Sequence, residues 1–120
     1  MSKILIVDDL PTEVQLMRSA IADLGHAIVV ATDGEQALEM ARRETPDLML
    51  LDVVLPRMDG FQVCRKLKKD PQTSKIPVIL ISSKTQESDK FWGLKQGATA
   101  YICKPFSPQE LAETVAKNLR

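Results

Sequence analysis

The sequence predicts a doubly wound α/β domain: a five-stranded parallel sheet in the order 2-1-3-4-5, with helices on both faces. Three observations carry that expectation. Five short apolar runs alternate with segments of helical period along the 120 residues. The runs are rich in Ile, Val and Leu and lack polar alternation, as strands buried on both faces do, and such strands belong to parallel sheets. Strand–helix units of about 24 residues recur five times, the pattern of a (βα)5 chain. Right-handed crossovers then put helices on both faces. For five strands, 2-1-3-4-5 is the common order. An eight-stranded barrel is far longer, and a dinucleotide fold needs six strands and a G-x-G-x-x-G turn. Neither fits.

Each element has its own signal. The first run is "KILIVD" (3–8). Val14, Met17, Ile21 and Leu24 then form one helical stripe, which Gly25 ends. The second run is "AIVVA" (27–31). "TDGE" (32–35) reads as a capping box: Thr32 would bond the amide of Glu35, and the Glu35 side chain would reach back. That helix packs through Ala37, Leu38 and Ala41 and stops before Pro46. The third run, "DLMLLD" (47–52), precedes a helix from about Asp59 to Lys69 with Phe61, Cys64 and Leu67 inward. The fourth run, "PVILIS" (77–82), precedes a helix between Gln86 and Gln96 that Gly97 ends. After "AYICK" (100–104), "SPQE" (107–110) opens the last helix, with Ser107 as cap, Pro108 in the first turn and Glu110 completing a box. Leu111, Val115 and Leu119 are its inner stripe.

Bulk properties narrow the function. The chain is expected to be a single domain over residues 1–120, without linker, charge block or low-complexity segment. It is 44% apolar and 27% charged, with a net charge of +0. That balance argues against nucleic-acid or anionic-membrane partners. No apolar run approaches the roughly 18 residues of a membrane span. "MSKILIVDD" enters a strand at once, without the anatomy of a signal peptide, so a cytoplasmic protein is expected. Cys64 and Cys103 lack metal-ligand spacing and read as reduced core thiols. The single His26 reads as a loop residue.

The chemistry lies where the strands end. In such a sheet ligands sit at the carboxyl ends of the strands, near the switch point between strands one and three. Strand one ends in Asp8-Asp9, strand three in Asp52, strand four in Ser82-Ser83 and strand five in Lys104-Pro105. Three acids, a hydroxyl and an ammonium thus meet on one edge. Two like charges 4 Å apart repel by about 4 kcal/mol at an effective dielectric near 20. Lys104 relieves part of this, and a hard divalent ion bound by oxygens relieves the rest. Mg2+ suits such a site, because it takes one or two carboxylates together with waters and phosphate oxygens. Acids, a cation and a lysine suit phosphoryl chemistry, with a carboxylate attacking in line and Ser82 bonding a phosphoryl oxygen.

With these residues in place the chain resembles the receiver domain of two-component response regulators, the CheY-like family, over essentially its whole length. The motifs are "VDD" after strand one, "LLDVVLPRMDG" after strand three, a hydroxyl ending strand four and "KPF" after strand five. The resemblance implies that Asp52 is the phosphoacceptor, phosphorylated by a histidine kinase. It implies that Asp8 and Asp9 hold Mg2+, Asp9 directly, with the Val54 carbonyl as a further ligand. It makes Ser82 the switch hydroxyl, Lys104 the invariant lysine and Tyr101 the aromatic switch partner. The Lys104-Pro105 bond is usually cis in this family. Output would be a protein–protein contact through helix four, strand five and helix five, and the only catalysis would be the domain's own phosphorylation and dephosphorylation. Val54, which cannot position an attacking water, points to a long-lived aspartyl phosphate.

A narrower similarity runs through "SSKTQESDKFWGLKQGA" (82–98) and the "Y..CKPFS" that follows. It resembles the type IV pilus twitching regulators of the PilH and PilG kind and implies a role in pilus-driven motility or taxis. One of Phe91 and Trp92 is expected to face outward, towards a partner. Other readings fit less well. An aspartyl-nucleophile phosphatase needs a second acid where Val54 stands, and a flavin site needs a hydroxyl- and glycine-rich loop where "DDLPTE" puts carboxylates. A scaffold that is never phosphorylated is at odds with the intact acids and lysine, whereas a receiver cut from a larger regulator stays open.

Overall fold

The computed structural model describes residues 2–119. The elements run β1 (Lys3–Val7), α1 (Pro11–Ile21), a 3-10 turn (Ala22–Leu24), β2 (Ala27–Ala31), α2 (Gly34–Glu44), β3 (Leu48–Asp52), α3 (Gly60–Lys69), β4 (Val78–Ser82), α4 (Glu87–Lys95), β5 (Ala100–Cys103) and α5 (Pro108–Asn118). The five strands form one parallel sheet in the order β2-β1-β3-β4-β5, as the sequence predicts.

Side-chain alternation divides the core between the two faces of the sheet. Ile4, Ile6, Leu48, Leu50, Ile79, Ile81 and Ile102 point to one face, against Met17 and Ile21 of α1 and Leu111 and Val115 of α5. Leu5, Val7, Met49, Leu51, Val78 and Leu80 point to the other, against Ala37, Met40 and Ala41 of α2 and Val63, Cys64 and Leu67 of α3. β1, β3 and β4 are almost wholly buried, which explains their unbroken apolar runs. The edge strand β2 is half-exposed over most of its length, so the apolar run there does not mark burial on both faces.

Local sequence sets the helix ends, with two corrections. α2 does not open on the box expected of Thr32 and Glu35. Asp33 is its cap, and Asp33 Oδ1 accepts from the N–H of Gln36 at 2.8 Å. The backbone N–H of Thr32 and its hydroxyl both donate to Gln36 Oε1. β2 ends at Ala31 as expected, but Thr32 stays in the turn and an Asp/Gln pair at the same three-residue spacing, one residue later, makes the cap. At α5, Ser107 Oγ accepts from the N–H of Glu110 at 2.9 Å with Pro108 at the first position, but the return bond from Glu110 is not formed. Both Glu110 and Ser107 are exposed, so an amide without that return bond costs little there. α3 carries a reciprocal pair that the sequence reading missed: Asp59 Oδ1 accepts from Gln62 N–H, and Asp59 N–H donates to Gln62 Oε1.

Both cysteines are free thiols. Cys64 lies in the core, where burial pushes its thiol up to about 11. Cys103 is only half-buried on the edge strand β5, so it is not the core thiol expected. No helix among the described residues is long and apolar enough to cross a membrane.

Candidate functional site

The sheet register brings the acids together. Val7 pairs with Leu51, so Asp8 and Asp52, one residue further along, emerge side by side at the ends of adjacent central strands. Both carboxylates are almost completely buried. Asp8 Oδ1 accepts from the N–H of Leu10 at 3.0 Å, and Asp52 Oδ1 accepts from the N–H of Val54 at 3.2 Å. Asp9 is exposed at the rim. Asp8, Asp9 and Asp52 each place a carboxylate oxygen within 4.8 Å of the others.

Lys104 completes the cluster from two strands away. Its ammonium lies 3.1 Å from Asp8 Oδ2 and 3.5 Å from Asp52 Oδ2. The peptide between Lys104 and Pro105 is cis. The N–H of Lys104 donates to the carbonyl of Ser82 at 2.8 Å, which prolongs the β4–β5 pairing to the lysine. A third carboxylate, Glu13 in the first turn of α1, lies 3.0 Å from the ammonium. Sequence reasoning missed Glu13. The signal was present: Glu13 stands four residues before Met17, on the inward stripe of the helix that covers this face of the sheet.

Charge and burial act against each other here. Burial, helped by the charge of Asp8, pushes the Asp52 carboxyl up to about 6, against the pull of Lys104. Burial alone would lower Lys104. The hydrogen bond that Lys104 donates to Glu13 and the charges of Asp52 and Asp8 outweigh it and hold the ammonium above its ordinary range. One lysine therefore does not neutralise the pocket. The donor set is a group of hard oxygens in excess of local positive charge, which fits a small divalent cation such as Mg2+.

Alternation along the strands explains where the two serines go. Asp8, Asp52, Ser83 and Lys104 share the parity of Ile6, Leu50, Ile81 and Ile102 and belong to the α1/α5 face. Ser82 has the opposite parity, shared with Leu80 and Tyr101. Accordingly Ser83, not Ser82, lines the cavity of about 530 Å³ beside Asp52, together with Asp9, Leu10, Val54 and Lys104. Ser82, expected to bond a phosphoryl oxygen, is fully buried, and its Oγ accepts from the N–H of Lys84 at 3.1 Å. Tyr101 donates its hydroxyl to the carbonyl of Lys84 at 2.7 Å, and burial raises its pKa.

The ends of β3 and α3 are locked together. The N–H of Gly60 donates to the carbonyl of Val53 at 2.8 Å, and a Cβ at Gly60 would strike the backbone of Asp52 and Val53. The glycine of "MDG" is therefore a packing requirement behind Asp52.

The comparisons with known proteins agree with this geometry. The response regulator receiver domain model matches residues 4–116. The chain belongs to that family. It is 44% identical over 115 residues to protein PilH of Pseudomonas aeruginosa, covering 96% of this chain and 95% of that protein. It is 42% identical to the alkaline phosphatase synthesis transcriptional regulatory protein PhoP of Bacillus subtilis, but spans only 48% of that protein's length. Among solved structures it matches a putative response regulator from Chloroflexus aurantiacus with a TM-score of 0.93 at 32% identity, covering 98% of this chain and 96% of that one. It matches the chemotaxis response regulator CheY4 of Vibrio cholerae with a TM-score of 0.91 at 31% identity, covering 99% of each chain. The receiver resemblance, the CheY-like fold and the similarity to the PilH kind are thus all found.

One expectation about this receiver's surface needs correction. Phe91 and Trp92 are both exposed, at 64% and 47%, and Leu94 joins them at 50%. α4 turns its small residue, Gly93, to the sheet, where a Cβ would meet Leu80 and Tyr101. The apolar side chains of α4 therefore face outward.

Proposed function

We propose that this receiver takes a phosphoryl group onto Asp52 from the phosphohistidine of a histidine kinase and thereby changes its affinity for a protein target. The observation that carries the reading is the placement of the Asp52 carboxylate, buried inside a cluster of three acids with the Lys104 ammonium 3.5 Å away. In the transfer an Asp52 oxygen forms a P–O bond in line as the donor's P–N bond breaks. The histidine nitrogen leaves with the bonding pair and takes a proton. Lys104 stabilises charge on the transferring oxygens. Asp8, Asp9, Asp52 and the Val54 carbonyl would hold Mg2+, which when bound would supply positive charge for those same oxygens.

The output follows from charge placed at the strand end. Ser82 and Tyr101 are the switch residues in this reading, and the face built from α4, β5 and α5 meets the target. Similarity to PilH supports a role in pilus-driven motility, in the cytoplasm, with no direct contact to nucleic acid or membrane. Members of this family act as signalling proteins, and the chemistry here is the domain's own modification. A second reading, a receiver within a longer regulator, is favoured by relatives such as PhoP, of which this chain spans 48%.

The test is mass spectrometry after incubation with Mg2+ and a small phosphodonor. One phosphoryl mass appears in the wild type and is absent from Asp52→Asn. Turnover of an aryl phosphate by catalytic amounts of protein would overturn the reading in favour of a phosphatase.

A further inference from the structure

Lys104 has three ammonium protons and three carboxylate partners. The distances are unequal: 3.0 Å to Glu13, 3.1 Å to Asp8 and 3.5 Å to Asp52. The longest contact is to the residue on which the phosphoryl group is to be carried. Glu13 also differs from the other two in place. It comes from α1 rather than from a strand end, and it is partly exposed where Asp8 and Asp52 are buried. The Glu13–Lys104 pair stands between two cavities. The acid cavity of about 530 Å³ and a groove of about 310 Å³ lined by Leu16, Pro105 and Phe106 share Glu13, Ser83 and Lys104 as their common wall.

Resting on the phosphoryl-acceptor reading, we propose that Glu13 is a positioning residue that holds Lys104 back from Asp52 and competes with the incoming phosphoryl group for the ammonium. An ammonium shared among three carboxylates divides its donors among them. When Asp52 gains a phosphoryl group, its added charge draws the ammonium inward and the contact to Glu13 must yield. Glu13 thus sets how strongly Lys104 resists engagement without touching the reacting atoms itself. Losing its charge has two effects of opposite sign. Lys104 is freed to move towards the phosphoryl oxygens, while the pocket loses one negative charge that favours the divalent cation.

The test compares wild type, Glu13→Gln and Glu13→Asp, each also in a Lys104→Ala background. Glu13→Asp keeps the charge but is one methylene too short for the contact. Three readouts are taken: the 15N resonance of the Lys104 ammonium in metal-free protein, Mg2+ affinity by calorimetry, and beryllofluoride affinity and the acetyl phosphate labelling rate at saturating Mg2+. In labelling, acetate leaves with its bonding pair as the Asp52–phosphorus bond forms.

For Glu13→Gln the ammonium resonance shifts, Mg2+ binding weakens about twofold, and beryllofluoride affinity and labelling rate both rise about fivefold, the scale of one partly exposed ion pair. Glu13→Asp reproduces the gain without the loss of Mg2+ affinity. In the Lys104→Ala background the gain disappears, because coupling requires both partners. Weakening of both Mg2+ and beryllofluoride binding, as mere damage to α1 would cause, overturns the proposal, and so does an equal gain with and without Lys104. If wild type is labelled on Asp52 and Glu13→Gln matches it, this inference alone falls. If wild type is not labelled, the acceptor reading falls with it.

Discussion

The hydroxyls of Ser82 and Tyr101 hold one residue from two sides. Ser82 Oγ accepts from the N–H of Lys84, and Tyr101 donates to its carbonyl. The two hydroxyls are also close enough that Ser82 opposes the rise that burial causes in the Tyr101 pKa. The first residues after β4 connect them, so movement of one hydroxyl is felt by the other through a single peptide segment.

Tyr101→Phe removes one of the two holds. The carbonyl of Lys84 sits on an exposed residue and is re-solvated, so the stability cost is about 1 kcal/mol or less. The expected result is a small drop in the urea midpoint, together with faster amide exchange confined to residues 83–86. Exchange that accelerates across the whole sheet would show that the tyrosine holds the core rather than the loop.

Gly93→Ala tests the same region from the helix side. An added Cβ would lie 2.9 Å from the Tyr101 ring and 2.8 Å from Leu80 Cδ1. Alanine favours the helix by about 1 kcal/mol, but overpacking at a tight contact costs about 1–3 kcal/mol. Overpacking wins, and the ring is the part able to move outward. Tyr101 ring resonances are expected to change while the Asp52 pocket stays intact, as measured by Mg2+ affinity.

The raised Asp52 pKa has a signed consequence for the metal-free protein. Between about pH 4 and about pH 6 the folded state keeps a proton that the unfolded chain has already lost. Stability attributable to this group therefore falls as pH rises through that window and is level above it. A shift of about two units corresponds to about 3 kcal/mol. Asp52→Asn removes the fall and is more stable than wild type at pH 7 without metal, as denaturant titration at pH 4, 5, 6 and 7 will show. Mg2+ raises the neutral-pH midpoint of wild type and does so far less in Asp9→Ala.

Much of this was legible in advance because the determinants are short-range. Apolar runs bounded by breakers located all five strands, and strand ends located Asp8, Asp9, Asp52 and Lys104. The rest depends on parity and on faces. "SS" at 82–83 offers two hydroxyls, and only counting side-chain direction back from Leu80 and Ile81 assigns Ser83 to the cavity and Ser82 to the opposite face. Glu13 lies outside the strand-end pattern, because it reaches Lys104 from the covering helix. The cap of α2 lies one residue later than expected, because Thr32/Glu35 and Asp33/Gln36 have equal spacing and the spacing alone does not choose between them. The outward turn of both Phe91 and Trp92 follows from Gly93 taking the inward position, a contact that no periodicity in the segment announces.

On the phosphoacceptor reading, Val54 is expected to lengthen the lifetime of the modified state. Its side chain is half-exposed on the cavity rim, and an isopropyl group offers an approaching water no hydrogen bond. Val54→Asn supplies one, and loss of label from Asp52 is expected to accelerate about tenfold, a barrier change of about 1.4 kcal/mol. Radiolabel decay at fixed Mg2+ measures it. An unchanged decay rate would show that water is positioned by some other group.

α4 buries only Gly93 and leaves its large apolar residues outside. It covers Leu80 and Tyr101 with its backbone at Gly93 and adds no large apolar side chain of its own to the core layer beneath. Each of the other four helices buries at least two residues with side chains, whereas α4 buries only a glycine. If output runs through α4 as proposed, robustness and responsiveness reside in separate parts of one small chain, and mutations that silence the output need not lower the melting temperature.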